Sequence, residues 1–272
     1  MKILDLLSQE TVVDKTDVLY MIPCAALYAV YRLLVSNFVL KPISKHIKPK
    51  NQYKFIHRGF DCIHYVMCTI IGVFAFLKRP YGHCSYYYFD CRQYLDNAPA
   101  ETVITYFEKV YYYLFAAYYF SDIFWIRTTK DIPILIVHHS ITIGWILSFA
   151  LIPLPPVCLT GGLLHDYVDF FLYSGKVATY FDYQKLANVL LILFAISFFW
   201  LRILNCGSIY YTGSISDTPQ KHTLYFRTLF SFLYMCHLIW GYQIVMALKR
   251  IFTGDKIHDT RSDRAESKQH KE

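Results

Sequence analysis

Hydrophobic and polar positions along this chain fall into long apolar stretches separated by short polar connections. A helix needs roughly 20 mainly apolar residues to cross a bilayer, and seven stretches come near or above that length: residues 18–40, 60–77, 105–126, 132–152, 157–181, 186–211 and 223–248. Lipid admits only helices or closed barrels, and runs this long lack the roughly 10-residue alternation of barrel strands. The pattern therefore predicts an all-α membrane protein, a polytopic bundle of about seven transmembrane helices. The third stretch carries Glu108 and Lys109 and is the least hydrophobic, so its first turn is expected at the interface. Between the fourth and fifth stretches runs IPLPPV, a short proline-rich connection that predicts a tight helical hairpin. No internal repeat or Gly/Ser linker divides the chain. Three regions follow: 1–49 with the first span, 50–250 as a six-span domain, and 251–272, a charged tail expected to be disordered and cytosolic.

Composition agrees with lipid as the solvent. The chain is 55% hydrophobic, 18% aromatic and 17% charged, whereas soluble domains are about 25% charged. A net charge of +7 raises nucleic acid as a ligand, but the basic residues cluster at the ends of apolar stretches and in the tail, with no nucleic-acid motif. Nucleic-acid binding is excluded on that ground. The loop side bearing Lys41, Lys45, Lys48, Lys50, Lys54, Arg58, Arg127, Lys130, Lys185, Lys249 and Arg250 outweighs the side bearing Lys2, Lys15, Lys78, Arg79, Arg92 and Lys221. Basic residues of short loops stay cytosolic, so the N-terminus is expected in the lumen and the C-terminus in the cytosol. The opening MKILDLLSQETVVDKTD has no cleavable signal pattern. Eight cysteines are scattered, mostly within apolar stretches, and none has the spacing of a zinc site. Cys84 and Cys91 share one polar loop and can pair if that loop is lumenal.

Ionisable side chains inside a span are costly and mark function by default. The fourth span holds His138 and His139; the fifth holds His165, Asp166, Asp169 and Lys176. At 100° per residue, His165, Asp169 and Lys176 lie within about 40° of one face, with Asp166 about 60° farther round. His138 lies about 10 Å from the cytosolic end of its helix, at the depth of that stripe, and His139 points about 100° away from it. One reading has Asp166 or Asp169 orienting an imidazole for base or nucleophilic work, with Lys176 balancing the carboxylates. Another is a structural network that locks the helices. A metal held by three His and two Asp is a third, against which stands the lack of two His at i and i+4.

From His138 to Arg202 the order His-His, helical hairpin, His-Asp-x-x-Asp and Lys, followed by Tyr180, Gln184-Lys185 and Arg202, resembles the Lag motif of ceramide synthases in the TLC domain family. Weaker likeness runs upstream through FVLKPISK, Lys54-Phe55, FDCRQY and YYYLFAAYYFSDIFWI, so that it covers about residues 17 to 250. The resemblance implies transfer of a fatty acyl group from acyl-CoA to the amine of a sphingoid base, in sphingolipid biosynthesis, within the endoplasmic reticulum membrane. It implies an acyl-imidazole on His138, His139 and Asp166 as orienting or proton-transfer groups, and Asp169 and His165 as further aids. Lys176 and Arg202 would bind substrate or pair charges. No metal or prosthetic group is required; membrane lipids surround the site, and a small regulatory subunit or a homodimer is compatible. The chain departs from the family pattern at Pro153 and Pro156, where Asn and Arg are usual, and at Tyr173, where Glu is common. It also lacks the homeobox-like insert of many animal members. The loop from Thr212 to His222 occupies the place that influences acyl-chain choice. A non-enzymatic TLC protein, such as a lipid sensor, cargo receptor or translocon accessory, is the competing class. A fatty acid elongase would show His-x-x-His-His, which is missing here.

Overall fold

In the computed structural model of the chain the described residues are 3–89, 91, 103–126, 132–151, 155–215 and 220–252. Each of the seven apolar stretches forms a helix. They are α1 (Lys15–Ser44), α2 (Pro49–Phe76), α3 (Tyr106–Asp122), α4 (Ile132–Leu151), α5 (Pro155–Tyr180), α6 (184–215) and α7 (Gln220–Phe252). Five of them, α1, α2, α4, α6 and α7, are long and apolar enough to cross a membrane by length and composition. The other two have evident reasons to fall short: α3 has 17 residues, and α5 carries the polar stripe.

Local chemistry sets where these helices begin. Asp14 caps α1, taking the Thr16 N–H at 2.7 Å while Asp17 reaches back to the Asp14 N–H. Thr105 and Glu108 form the same reciprocal box at the start of α3. Prolines sit in the first turn of α2, α4 and α5, where a missing N–H costs nothing. Helices α4 and α5 are separated only by residues 152–154, as a tight hairpin requires, although that connection itself is outside the described residues. From α5 to α6 the chain reverses within three residues, with Asp182 at φ 60°. Aspartate tolerates that left-handed conformation better than most residues.

The radial distribution of side chains is inverted relative to a soluble protein. Large apolar groups such as Leu19, Ile22 and Leu27 on α1 and Val189, Ile192 and Ile196 on α6 point outward, while Arg32, Asp61, Asp166 and His237 are buried. That is the arrangement expected when hydrocarbon is the solvent. Close approach at the centre depends on Gly72 of α2, where an added Cβ would come within 2.6 Å of Leu163 on α5. The protein is thus a multi-pass membrane bundle.

Two features were not anticipated from the pattern. Strand β1 (Glu10–Val12) pairs antiparallel with β2 (Val103–Thr105), Thr11 opposite Ile104, and Lys109 ties the segment down by donating to the Val12 carbonyl at 2.8 Å. The start of α3 is consequently covered by protein. Glu108 is fully buried and bonded to Tyr81, with Arg79 at 3.3 Å, while Tyr106 of the same turn stays exposed. The second is a π-helical stretch within α6, Phe198–Asn205. The final stretch 253–272 and most of FDCRQY are outside the described residues.

Cys84 and Cys91 are joined by a disulfide, Cα–Cα 5.9 Å, in the loop after α2. That loop is stitched to α6 by the Tyr88 N–H, which donates to Asn205 Oδ1 at 2.6 Å, and by Trp200 Nε1, which donates to the Tyr86 carbonyl at 2.9 Å. Alkylation of the denatured full chain is expected to label six thiols without reductant and all eight after reduction. Eight labels in both cases, read by intact mass, would show the pair to be unbonded.

Candidate functional site

The deepest polar feature begins on the outermost helix. Arg32 of α1, only 1% exposed, donates through Nη1 to Asp122 Oδ1 of α3 at 2.5 Å and through Nη2 to Asp61 Oδ1 of α2 at 3.2 Å. Arg58 of α2 reaches the other oxygen of Asp61 at 2.8 Å, and Tyr118 approaches Oδ1 at 3.3 Å. The Arg32 guanidinium also lies over the Phe60 and Trp125 rings, 4.8 and 4.6 Å from their centroids. Two guanidiniums and two carboxylates thereby share their hydrogen bonds out of water, which is the condition under which buried charges persist.

The free oxygen of Asp122 holds His139, whose Nε2 is 3.0 Å away. On the other side of that ring Nδ1 meets the Leu135 carbonyl at 3.0 Å. Both nitrogens of His139 are thus engaged. His138 differs: its Nδ1 is buried and has no hydrogen-bond partner among the described residues. Trp240 of α7 stands edge-on to it at 5.0 Å, Tyr119 of α3 at 6.1 Å, and the His139 ring at 5.8 Å.

On α5, Asp169 takes the Arg202 Nη2 donor at 2.6 Å, and the same nitrogen is 3.1 Å from the His165 carbonyl. Asp166 accepts from Tyr111 at 2.6 Å, leaving its Oδ1 without a partner among the described residues. His165 turns Nδ1 to the Gly161 carbonyl at 2.7 Å and Nε2 toward His237 of α7 at 3.1 Å. Lys176 lies over the Tyr173 ring, 5.6 Å from its centroid.

Two cavities meet at these groups. The larger is lined by His138, His139, Asp122, Asp169, Arg202 and Trp240 among others. A smaller one is nearly all apolar, with Phe115, Trp145, Phe230 and Ile209 in its wall. Tyr119 borders both, and His165 borders the second. A polar chamber with one unpartnered imidazole therefore adjoins a greasy one.

Of the residues singled out from the sequence, the structure gathers His138, His139, Asp169 and Arg202 around one cavity, with His165 and Asp166 just beside it. The carboxylate on the histidine pair is Asp122, in place of the expected Asp166 or Asp169, because the latter two are engaged by Tyr111 and Arg202. Likewise the cation on Asp169 is Arg202, where the sequence reading had Lys176. Asp122, Arg32, Asp61, Tyr111, His237 and Trp240 were not singled out beforehand.

A sequence-family profile described as the TLC domain matches residues 54–246. Among curated proteins, the chain is 30% identical to human ceramide synthase 5 over 232 residues, which cover 79% of this chain and 56% of that protein. It is 25% identical to the Arabidopsis thaliana ceramide synthase LOH1 over 238 residues, covering 80% and 76%. With the rice ASC1-like protein 1 the identity is 24% over 283 residues, covering 91% and 89%. The chain thus spans little more than half the length of the human relative.

The charge network makes a quantitative expectation. Arg32→Met should destabilise the bundle by about 2–3 kcal/mol, since it leaves buried Asp61 with Arg58 and Asp122 with His139 but takes a charged hydrogen bond from each. Adding Asp122→Asn to it should cost less than the sum of the two single changes, with a coupling of about 1–3 kcal/mol in thermal unfolding of the detergent-solubilised chain. Strict additivity would mean that the pair does not interact.

Proposed function

The chain belongs to the TLC domain family, and we propose that it works there as a ceramide synthase, transferring a fatty acyl group from acyl-CoA to the amine of a sphingoid base. Support comes from the relatives named above and from the full His-His and His-Asp-x-x-Asp set within the matched region. The observation that carries the reading is His138. His139 and His165 each spend Nδ1 on the carbonyl four residues back, yet Nδ1 of His138, a residue that lines the larger cavity, has no hydrogen-bond partner among the described residues. A nucleophile needs such a free lone pair.

In this mechanism a ring nitrogen of His138 attacks the thioester carbonyl. A nitrogen–carbon bond forms, the carbon–sulfur bond breaks, and coenzyme A leaves as thiol or thiolate. The sphingoid amine, giving its proton to the released thiolate, attacks the acyl-imidazole; its nitrogen–carbon bond forms as the bond from that carbon to His138 breaks, and the ring takes up the second amine proton. Splitting the displacement in two lowers each barrier. His139, held between Asp122 and the Leu135 carbonyl, acts as a positioning group that fixes the wall of the chamber beside His138. Asp166, Asp169, Arg202 and His165 act as positioning groups around the chamber, and Lys176 as a charge partner near its rim. The apolar cavity suits the hydrocarbon of a long-chain substrate.

Localisation in the endoplasmic reticulum, with a lumenal N-terminus and a cytosolic C-terminus, belongs to the same proposal. The disulfide lies in the loop that the Lys/Arg count assigns to the lumen, and an oxidising compartment is where such a bond persists. Residues Arg58, Trp125, Ile126 and Leu135 put one wall of the larger cavity next to the loops assigned to the cytosol, the side from which coenzyme A would arrive. Residues 50–250 are taken as the catalytic domain, with 1–49 anchored to it through Arg32 and 251–272 as a tail.

Membranes containing the full chain, with any small subunit or second copy retained, should N-acylate a labelled sphingoid base when offered a panel of acyl-CoAs. His138→Ala should remove that activity at matched expression. Asp122→Asn should lower it by about 10²-fold by letting the His139 ring beside His138 move. In the absence of amine acceptor, mass spectrometry should find the acyl group on the peptide bearing His138. Full activity in His138→Ala would end the covalent assignment. No transfer with any donor from folded protein would leave a non-enzymatic, lipid-binding TLC protein.

A further inference from the structure

Two histidines outside the His138–His139 pair confront each other in a way that neutral imidazoles avoid. His165 on α5 directs Nδ1 at the Gly161 carbonyl, 2.7 Å away, and His237 on α7 directs Nδ1 at the Arg202 carbonyl, 3.1 Å away. A carbonyl oxygen can only accept, so each Nδ1 must carry the proton; in a neutral ring that leaves Nε2 with a bare lone pair. The two Nε2 atoms nevertheless meet at 3.1 Å in a buried setting. Two lone pairs at that distance call for a positive centre between them.

The third side of the cluster is Cys206 of α6, likewise buried, and one ligand atom from each of His165, Cys206 and His237 lies within 4.8 Å of the others. We propose that these three side chains bind a divalent metal ion, with zinc the ion of best chemical fit. Two imidazole nitrogens at about 2.0–2.1 Å from a tetrahedral zinc stand about 3.3 Å apart, and a thiolate completes the third corner at about 2.3 Å. The observed nitrogen separation is close to that edge. Carbonyls on both Nδ1–H groups are the outer partners that fix the tautomer of metal-bound histidine.

The backbone of α6 is shaped for this. In its π-helical stretch the Cys206 N–H reaches the carbonyls of Ile203 and Leu201, three and five residues back, and passes over that of Arg202. The Arg202 carbonyl is thereby spared that N–H and accepts from His237. Because the ligands come from three different helices, no local spacing in the sequence announces the site. His165 and Cys206 also border the apolar cavity, so a fourth position would be reached from there. The site does not depend on the acyl-transfer reading and would stand if that reading failed.

The test uses the full chain purified under reducing conditions in lipid nanodiscs. Elemental analysis should find about one zinc per chain, as for a structural or open zinc site. Cys206→Ser and His237→Asn should each lose most of it. Since either variant could fold poorly, the wild type supplies an independent readout: after chelation and reloading with Co(II), it should develop sulfur-to-cobalt charge-transfer absorption, and chelation should lower its Tm. Wild-type protein that is monodisperse, carries far less than one metal per chain and shows no cobalt bands would overturn the proposal. The 3.1 Å contact would then be a proton shared between the two rings.

Discussion

An ionised side chain facing hydrocarbon must find its counter-charge within the protein, because no water is present to stand in for it. Arg32 meets this condition on a helix that otherwise turns apolar residues to the outside, and it does so with carboxylates from two neighbours. The effective cost of removing such an ion from water is several kcal/mol, comparable to the whole stability of many domains. Packing alone could let α1 rotate or slide; the guanidinium does not, since it would be left buried without either carboxylate while Asp61 and Asp122 each lost one of their partners. The position of α1, the end of α3 and the orientation of His139 are consequences of one shared network.

That network also explains a division of labour between two adjacent residues. His138 and His139 have the same chemistry and sit on the same turn, but about 100° of rotation separates them. One ring falls into the carboxylate's reach and is held at both nitrogens. Its neighbour is left with aromatic walls and a buried nitrogen that has no partner among the described residues. The difference between a ring held at both nitrogens and one with an unpartnered nitrogen is made by the surroundings rather than by residue type.

Much of the fold was legible because helix-length apolar runs and their boundaries are local properties. The seven helices, the short α4–α5 hairpin, and the polar stripe of α5 could all be read from spacing. The partner of His139 could not, because Asp122 is brought to it by the angle at which α3 crosses α4, and no wheel drawn on one helix contains that angle. A signal was nonetheless available: Arg32, Asp122 and His237 are ionisable residues inside apolar runs, the same criterion that identified His165 and Asp169. The β1–β2 pairing was beyond reach for another reason. Its strands are three residues each and lie more than ninety positions apart, so neither has a pattern of its own. The π-helical stretch is likewise a tertiary accommodation and leaves no mark in hydropathy.

The wiring of Arg32 carries a consequence for how the protein is made. Its two carboxylate partners follow it in the chain by 29 and 90 positions. The ribosome therefore delivers the cation to the membrane well before either anion exists. A helix with a lone guanidinium at mid-depth is a poor passenger for the insertion machinery, whereas α1 and α2 together already contain one complete ion pair. The first two helices are best handed over as a unit, with the arrival of Asp122 at the end of α3 closing the account of charge and releasing the group into lipid.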